Sequence, residues 1–200
     1  MGKVDAKKQI KMNSLLDTAF DLFTTNGVNE TSISQISERA GVAKGTFYLY
    51  FKDKLDIRDK LIAYKSSKLY EEAITFLEKE PAFDTMSLED KIIYITDYVL
   101  TRLSENKMLL NLISKNLSWG VFKSAFTMEL STNGINMLDY FRKSAGDGIK
   151  QPEIMLFMIT ELAGSSCYNS IMANEPVPFE EYKPYLYDGI RSIIRNFENN

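Results

Sequence analysis

Lysines, hydroxyl groups and aromatic rings are concentrated between Lys44 and Lys54, in the run KGTFYLYFKDK. Lysine ammonium groups and Tyr or Thr hydroxyls bind phosphate oxygens, and the threonine methyl can also contact a base edge. Gly45 costs a helix about 1 kcal/mol relative to Ala, so close approach of another backbone explains it better. The composition predicts a helix that lies against nucleic acid while Phe47 and Phe51 anchor it to a core. A helix that only packs is the alternative.

Two short helices are predicted around this run. Ser32 and Gln35 form a capping-box pattern for a helix that ends at Gly41, and a second helix is predicted from Ala43 to Tyr50. A longer helix, Lys7–Asn26, precedes them. Two helices joined by a short turn containing Gly have the helix-turn-helix pattern, in which the start of the second helix enters the major groove of DNA. Many helical hairpins share this pattern, so the pattern alone does not decide the function.

The charge distribution agrees with a DNA-facing head. The net charge is −3, but residues 1–52 carry seven basic and five acidic side chains, which leaves −5 on the remainder. The only cysteine, Cys167, can form no intramolecular disulfide, so we expect a reducing, cytoplasmic setting. The N-terminal residues lack the pattern of a signal peptide, and no apolar run approaches the roughly 20 residues of a membrane span. We therefore expect no membrane attachment.

The residue inventory argues against an enzyme. The chain has no histidine, which removes both a histidine-based catalytic triad and the usual histidine metal ligands. It also lacks a phosphate-binding or dinucleotide-binding glycine motif. The sequence therefore predicts no catalytic residue, no metal site and no cofactor.

The remainder of the chain also has helical periodicity. We predict an all-α fold, with a three-helix helix-turn-helix domain at 1–52 and a larger helical domain for ligand binding and dimerisation at 53–200. Trp119-Gly120 is predicted to separate two helices. The predicted helices of the second domain run from Asp53 to about Glu80, from Ser87 past Leu103, from Lys107 to Leu117, from Val121 to Ser144, from Pro152 to Asn174, and from Phe179 or later to Phe197.

Methionines and aromatic residues are frequent in the central helices of this second domain. Such side chains suit an apolar cavity that tolerates ligands of different shape. Taken singly, each is better explained as core, so the group indicates a region more than individual residues. A buried Glu129 or Glu161 would favour a cationic ligand. The candidate ligand-binding residues are Met108, Phe122, Phe126, Met137, Tyr140, Phe141, Met158 and Glu161.

Residues 10–57, about a quarter of the chain, resemble the DNA-binding domain of the tetracycline-repressor-like (TetR) family. The resemblance rests on Ala40-Gly41-Val42 and above all on the run from Lys44 to Lys54. Ala43 and Leu49 depart from it, because the family often has a hydroxyl residue at the first position and a polar residue at the second. The resemblance implies that Lys44, Gly45, Thr46 and Leu49 face bases and that Ser32, Tyr48, Tyr50 and Lys54 hold phosphates.

The resemblance also implies partners and a mechanism. The expected partners are a double-stranded, pseudo-palindromic DNA operator and a small hydrophobic effector. The expected assembly is a homodimer through the last two long helices, at about 154–173 and 185–197. The expected mechanism is that of a repressor that releases its operator when the effector binds. The alternative is a helical ligand-binding or scaffold protein whose basic head contacts a protein partner.

Overall fold

The computed structural model describes residues 3–128 and 136–199, and in these ranges helices joined by loops make up the fold, with an isolated bridge between Ile149 and Glu198. The predicted all-α class is confirmed. Two single 3₁₀ turns accompany the α-helices. The α-helices of the described residues are α1 Lys3–Asn26, α2 Ile33–Arg39, α3 Lys44–Tyr48, α4 Lys54–Leu77, α5 Leu88–Glu105, α6 Lys107–Asn116, α7 Trp119–Thr127, α8 Met137–Ala145, α9 Pro152–Ala173 and α10 Phe179–Phe197.

The chain forms two compact units, residues 1–62 and 63–200. The division falls inside α4, so that its first turns pack with the first unit and the rest of the helix packs with the second. The sequence predicted a boundary between residues 52 and 53, which is close to the start of the same helix. No helix among the described residues combines the length and the apolar character that crossing a bilayer requires.

The core of the first unit is built from one face of each of its helices. Leu15 and Ala19 of α1 are fully buried, as are Ile36 of α2, Phe47 of α3 and Ile57 of α4. In α1 these positions recur at helical spacing, and burial of this face stabilises a helix that would be marginal alone. The core therefore fixes α3 by its aromatic face and leaves the opposite face of α3 in solvent.

The second unit is organised around the pair α9 and α10. A Cβ atom on Gly189 of α10 would lie 3.3 Å from Cδ2 of Leu162 on α9, so the absence of a side chain allows the two helices to approach closely. Polar contacts join α10 to α5: the Lys183 ammonium lies 3.0 Å from the Asp97 carboxylate, and the Tyr187 hydroxyl donates to the same carboxylate.

The region around α7 and α8 differs from its prediction in two respects. Trp119 begins α7 instead of breaking a helix, because the Ser118 side chain accepts from the Val121 N–H and caps this helix. The predicted single helix Val121–Ser144 is wrong, since the backbone is already extended at Met128 and a separate helix, α8, begins at Met137. Residues 129–135, including the candidate Glu129, lie outside the described residues.

Candidate nucleic-acid interface and ligand cavity

The turn between α2 and α3 has the backbone geometry of a tight helix-turn-helix. The predicted capping box is confirmed: Ser32 accepts from the Gln35 N–H, and the Gln35 side chain accepts from the Ser32 N–H. Gly41 follows α2 with φ of 68°, a left-handed conformation that favours Gly. Ala43 precedes α3 and makes no side-chain cap, as expected for a residue without a hydroxyl.

The outer surface of α3 carries the four candidate base-facing residues. Lys44, Gly45 and Leu49 are exposed, and Thr46 is half-buried. Leu49 has a helical backbone, with φ of −73° and ψ of −21°, so the turn of α3 continues through it. Gly45, Thr46 and Leu49 lie on one side of this helix, and the structure therefore brings these three together, while Lys44 is exposed at the first position of α3.

The four candidate phosphate-binding residues have different surroundings. Ser32 and Tyr48 are exposed, and the Tyr48 ring packs edge-on against Phe47 at 5.5 Å between ring centroids. Tyr50 is half-buried beside Phe51. Lys54 donates from Nζ to the Asn29 carbonyl at 2.8 Å, which joins the first turn of α4 to the loop after α1. Its remaining N–H groups stay available for a phosphate.

The start of α4 is held next to α3 by a cluster of charged groups. Asp56 accepts from the Lys52 backbone N–H at 2.8 Å and from Lys60 Nζ at 3.0 Å. Burial alone would raise the pKa of Asp56, but these hydrogen bonds outweigh it and lower the pKa. Lys60 also donates to the Tyr50 carbonyl at 3.1 Å. The loop that carries Tyr50 and Lys52 is therefore positioned by α4.

An apolar cavity of about 120 Å³ lies inside the second unit. Its polar groups are few, and Glu161 is the only charged residue in the described lining. The Tyr70 hydroxyl is hydrogen-bonded to Thr160, and burial raises the pKa of Tyr70 to about 12. The lining residues are Ser66, Leu69, Tyr70, Ile92, Ile95, Thr96, Val99, Leu100, Leu103, Leu110, Ile113, Ser114, Leu117, Val121, Phe122, Ala125, Phe126, Met137, Phe141, Leu156, Ile159, Thr160, Glu161, Ala163, Gly164 and Ser165.

Some of the predicted ligand-binding residues are brought together here and some are not. The structure places Met108 and Met158 at the surface, 58% and 44% exposed, outside the cavity lining. Tyr140 also lies outside the lining, and its buried hydroxyl has no hydrogen-bond partner among the described residues. Burial and the charge of Glu78 raise the pKa of Tyr140 to about 12. The residues that do line the cavity are Phe122, Phe126, Met137, Phe141 and Glu161.

Most of the cavity wall was not predicted from the sequence, and two parts of it are informative. One is the side of α5 that carries Ile92, Ile95 and Val99, which helical periodicity identifies only as apolar. The other is Gly164 of α9, where an added Cβ would meet no atom within 4 Å. The sequence signal was a glycine in the middle of a predicted helix, where no turn requires it.

Comparison with known proteins identifies the family of the first unit. Residues 15–61 match the family model of bacterial regulatory proteins of the tetR family. This segment contains the buried face of α1, the turn at Gly41 and the exposed surface of α3. The first unit therefore carries the tetR-family domain. The family model therefore covers the exposed surface of α3 and includes none of the residues that line the cavity.

Two curated relatives match part of this chain. The transcriptional regulator AcrR of Shigella flexneri is 28% identical over 111 residues, which cover 56% of this chain and 51% of AcrR. The fatty acid metabolism regulator protein of Bacillus subtilis is 38% identical over 65 residues, which cover 32% of this chain and 34% of the relative. The chain thus matches about half of the first relative and about a third of the second.

Solved structures extend the likeness to the whole fold. FadR of Bacillus subtilis in complex with stearoyl-CoA superposes with a TM-score of 0.58 at 20% identity, covering 90% of this chain and 98% of FadR. SmeT, the repressor of the multidrug efflux pump SmeDEF of Stenotrophomonas maltophilia, has a TM-score of 0.58 at 15% identity, covering 94% of this chain and 91% of SmeT. At such identities the likeness concerns the fold.

Proposed function

We propose that this chain is a ligand-responsive transcriptional regulator that binds a pseudo-palindromic DNA operator. The observation that carries the proposal is the exposed surface of α3, held from behind by the buried Phe47 and Phe51. Lys44 and Gly45 lie open to solvent on this surface, and Tyr48 lies at its edge. A recognition helix fixed in this manner can enter the major groove without loss of its own packing. Such a regulator acts where the bacterial chromosome is, in the cytoplasm.

The regulatory step that fits the structure is repression relieved by an effector. α4 lines the cavity with Ser66, Leu69 and Tyr70, and its first turns belong to the first unit. An effector that binds one arrangement of α4 better than another shifts the population between them and lowers operator affinity. SmeT, a repressor, and FadR, crystallised with stearoyl-CoA, share this fold and support the proposal.

Dimerisation through α9 and α10 follows from the exposed side of α9. Ile154, Met158 and Met172 recur at helical spacing and are all exposed, while the opposite side of the same helix is buried in the core. A helix that is apolar on both sides is expected to be covered on both sides. On α10, Tyr185 is 73% exposed. We propose that a second copy of the chain covers these residues, with two heads per assembly.

Charge placed on this surface is expected to separate the dimer. Met158→Glu should shift the sedimentation of the chain from dimer to monomer at micromolar concentration, because two buried carboxylates would face a dry interface. Operator affinity should fall as well, since each monomer brings a single head. Met108→Glu is the matched control, because Met108 is also an exposed methionine but belongs to α6 and not to this surface. A Met158→Glu dimer as stable as the control would contradict the proposed interface.

Selection of bound duplexes from a random pool tests the function directly. We expect an enriched pseudo-palindrome whose half-site centres are roughly 34–36 Å apart, one turn of DNA. The same selection with a panel of lipophilic compounds should identify those that weaken binding. Failure to enrich any duplex would refute DNA recognition, and enrichment that no compound changes would leave the ligand response without support.

The cavity lining indicates the charge of the effector. Its described residues include the carboxylate of Glu161 and no Lys or Arg. In an apolar surrounding this carboxylate attracts a cation and repels an anion. We therefore expect a lipophilic ammonium compound to release the operator at a concentration at least about tenfold lower than its neutral isostere. Glu161→Gln should remove that preference. Equal potency of both compounds on the wild type would contradict the assignment.

A further inference from the structure

We propose that the head reads the C5-methyl groups of thymine through an apolar surface centred on Leu49. This inference rests on the proposed DNA-binding function and specifies which base feature the protein recognises. Leu49 is 80% exposed, the highest value among the large apolar side chains of the described residues. A single exposed Leu is ordinary. The exposure of Leu49 indicates a function because of where this residue lies relative to the core and to Gly45.

Helical geometry places Leu49 directly opposite the core. Phe47 and Phe51 are buried, and the Leu49, Tyr50 and Phe51 amides continue the helical hydrogen bonds of α3. With about 100° of rotation per residue, Leu49 lies about 180° from the mean direction of these two rings. Gly45 and Thr46 flank it within about 60° on either side. These three positions therefore form the centre of the surface that faces away from the protein.

Gly45 shows that the space in front of this surface is open. Its φ is not positive, and an added Cβ would meet no atom within 4 Å. Neither the backbone conformation nor the packing of the chain therefore requires a glycine here. The missing side chain does allow another molecule to approach the backbone of α3 next to Leu49. In the proposed function this molecule is the operator DNA, which presents the edges of its base pairs to α3.

The chemistry of the three central residues limits what they can read. Gly45 and Leu49 have no side-chain hydrogen-bonding group, and Thr46 has one hydroxyl and is half-buried. None can form the bidentate hydrogen bonds that recognise guanine or adenine. The apolar feature of the major groove is the thymine C5-methyl group, which Leu and the threonine methyl can contact. Lys44 lies about 140° of helical rotation from Leu49, nearer to the core side of α3, so it is not part of this apolar centre.

Removal of single methyl groups from the operator tests this inference. Starting from the selected operator, each thymine is replaced in turn by deoxyuridine, which lacks only the C5-methyl. At one or two positions in each half-site we expect wild-type affinity to fall roughly fourfold, and roughly fifteenfold when both half-sites are changed. At the same positions, 5-methylcytosine should bind better than cytosine. Equal affinity for thymine and uracil at every position would overturn the inference while leaving DNA binding intact.

Two leucine variants identify the residue that is responsible for the discrimination between thymine and uracil. Leu49→Ala should bind thymine and uracil duplexes with equal affinity, because the contact with the methyl group is lost. Leu55→Ala removes another exposed leucine, 50% exposed in the first turn of α4, and should keep the full discrimination. Loss of discrimination in both variants, or in neither, would overturn the assignment to Leu49. A wild-type protein that binds no duplex would instead refute the proposed function.

Discussion

Replacement of Lys44 and Tyr48 together by Ala is expected to lower operator affinity at least about a hundredfold while the dimer and its helix content stay unchanged. Both side chains are exposed, so their removal keeps Phe47 and Phe51 in the core, although the edge contact between the Tyr48 and Phe47 rings is lost. In a dimer the double variant loses two cations and two hydroxyl groups from the DNA surface. Loss of two lysine charges from the DNA interface should also reduce the salt dependence of binding by about two in the logarithmic slope.

Fluorescence anisotropy of a labelled operator, measured over a range of salt concentrations, gives both the operator affinity and its logarithmic salt slope. Lys115→Ala removes an exposed lysine from α6 and should leave the affinity and the slope unchanged. Retained affinity in the double variant would show that α3 is not the DNA-binding surface. If the wild type itself binds no duplex, a protein partner for the basic head becomes the better explanation.

Gly164→Leu is expected to abolish the response to the effector while operator binding stays normal. Gly164 lines the cavity, and an added Cβ would meet no atom within 4 Å. The leucine side chain therefore begins in open space, and we expect it to occupy part of the cavity of about 120 Å³. We expect effector affinity to fall at least about tenfold, and the thermal midpoint to rise, because a helical Gly is replaced by a better helix former worth about 1 kcal/mol.

Gly120→Leu is the control that separates the loss of effector binding from the gain of helix stability expected for Gly164→Leu. Gly120 is also helical, lies in the first turn of α7, and is exposed with no atom within 4 Å of an added Cβ. It should gain helix stability in the same manner and keep a normal effector response. Calorimetric titration with an effector found in the duplex selection measures the loss of binding directly. An unchanged response in Gly164→Leu would mean that the effector binds outside this cavity.

Local sequence signals predicted most helix boundaries in this chain. The helix predicted to start at Ser87 is capped by this residue, which accepts from the Asp90 N–H, and the capping box between Ser32 and Gln35 is present as expected. Such signals depend on groups three residues apart, so they can be recognised without knowledge of the fold. The same rule would have divided the helix wrongly predicted across residues 121–144, because Asn136 accepts from the Asp139 N–H at the start of α8.

The lining of the cavity could not be predicted in the same manner. Met108 and Leu110 are both apolar residues of α6, yet Met108 faces solvent and Leu110 lines the cavity. Their difference depends on where α9 packs against α6, and no local pattern encodes that arrangement. The surface of α3 was easier to predict, because the buried Phe47 and Phe51 define one side of a short helix and thereby the opposite side.

The position of Leu49 and Gly45 opposite the core has a consequence for divergence within the family. Neither side chain contributes to the packing that holds α3, so substitutions at these two positions are expected to leave the fold almost equally stable. Descendants of such a gene can therefore acquire new target sites through single codon changes, without compensating changes in the interior. A duplicated copy could retain its inducer and still come to control a different set of genes.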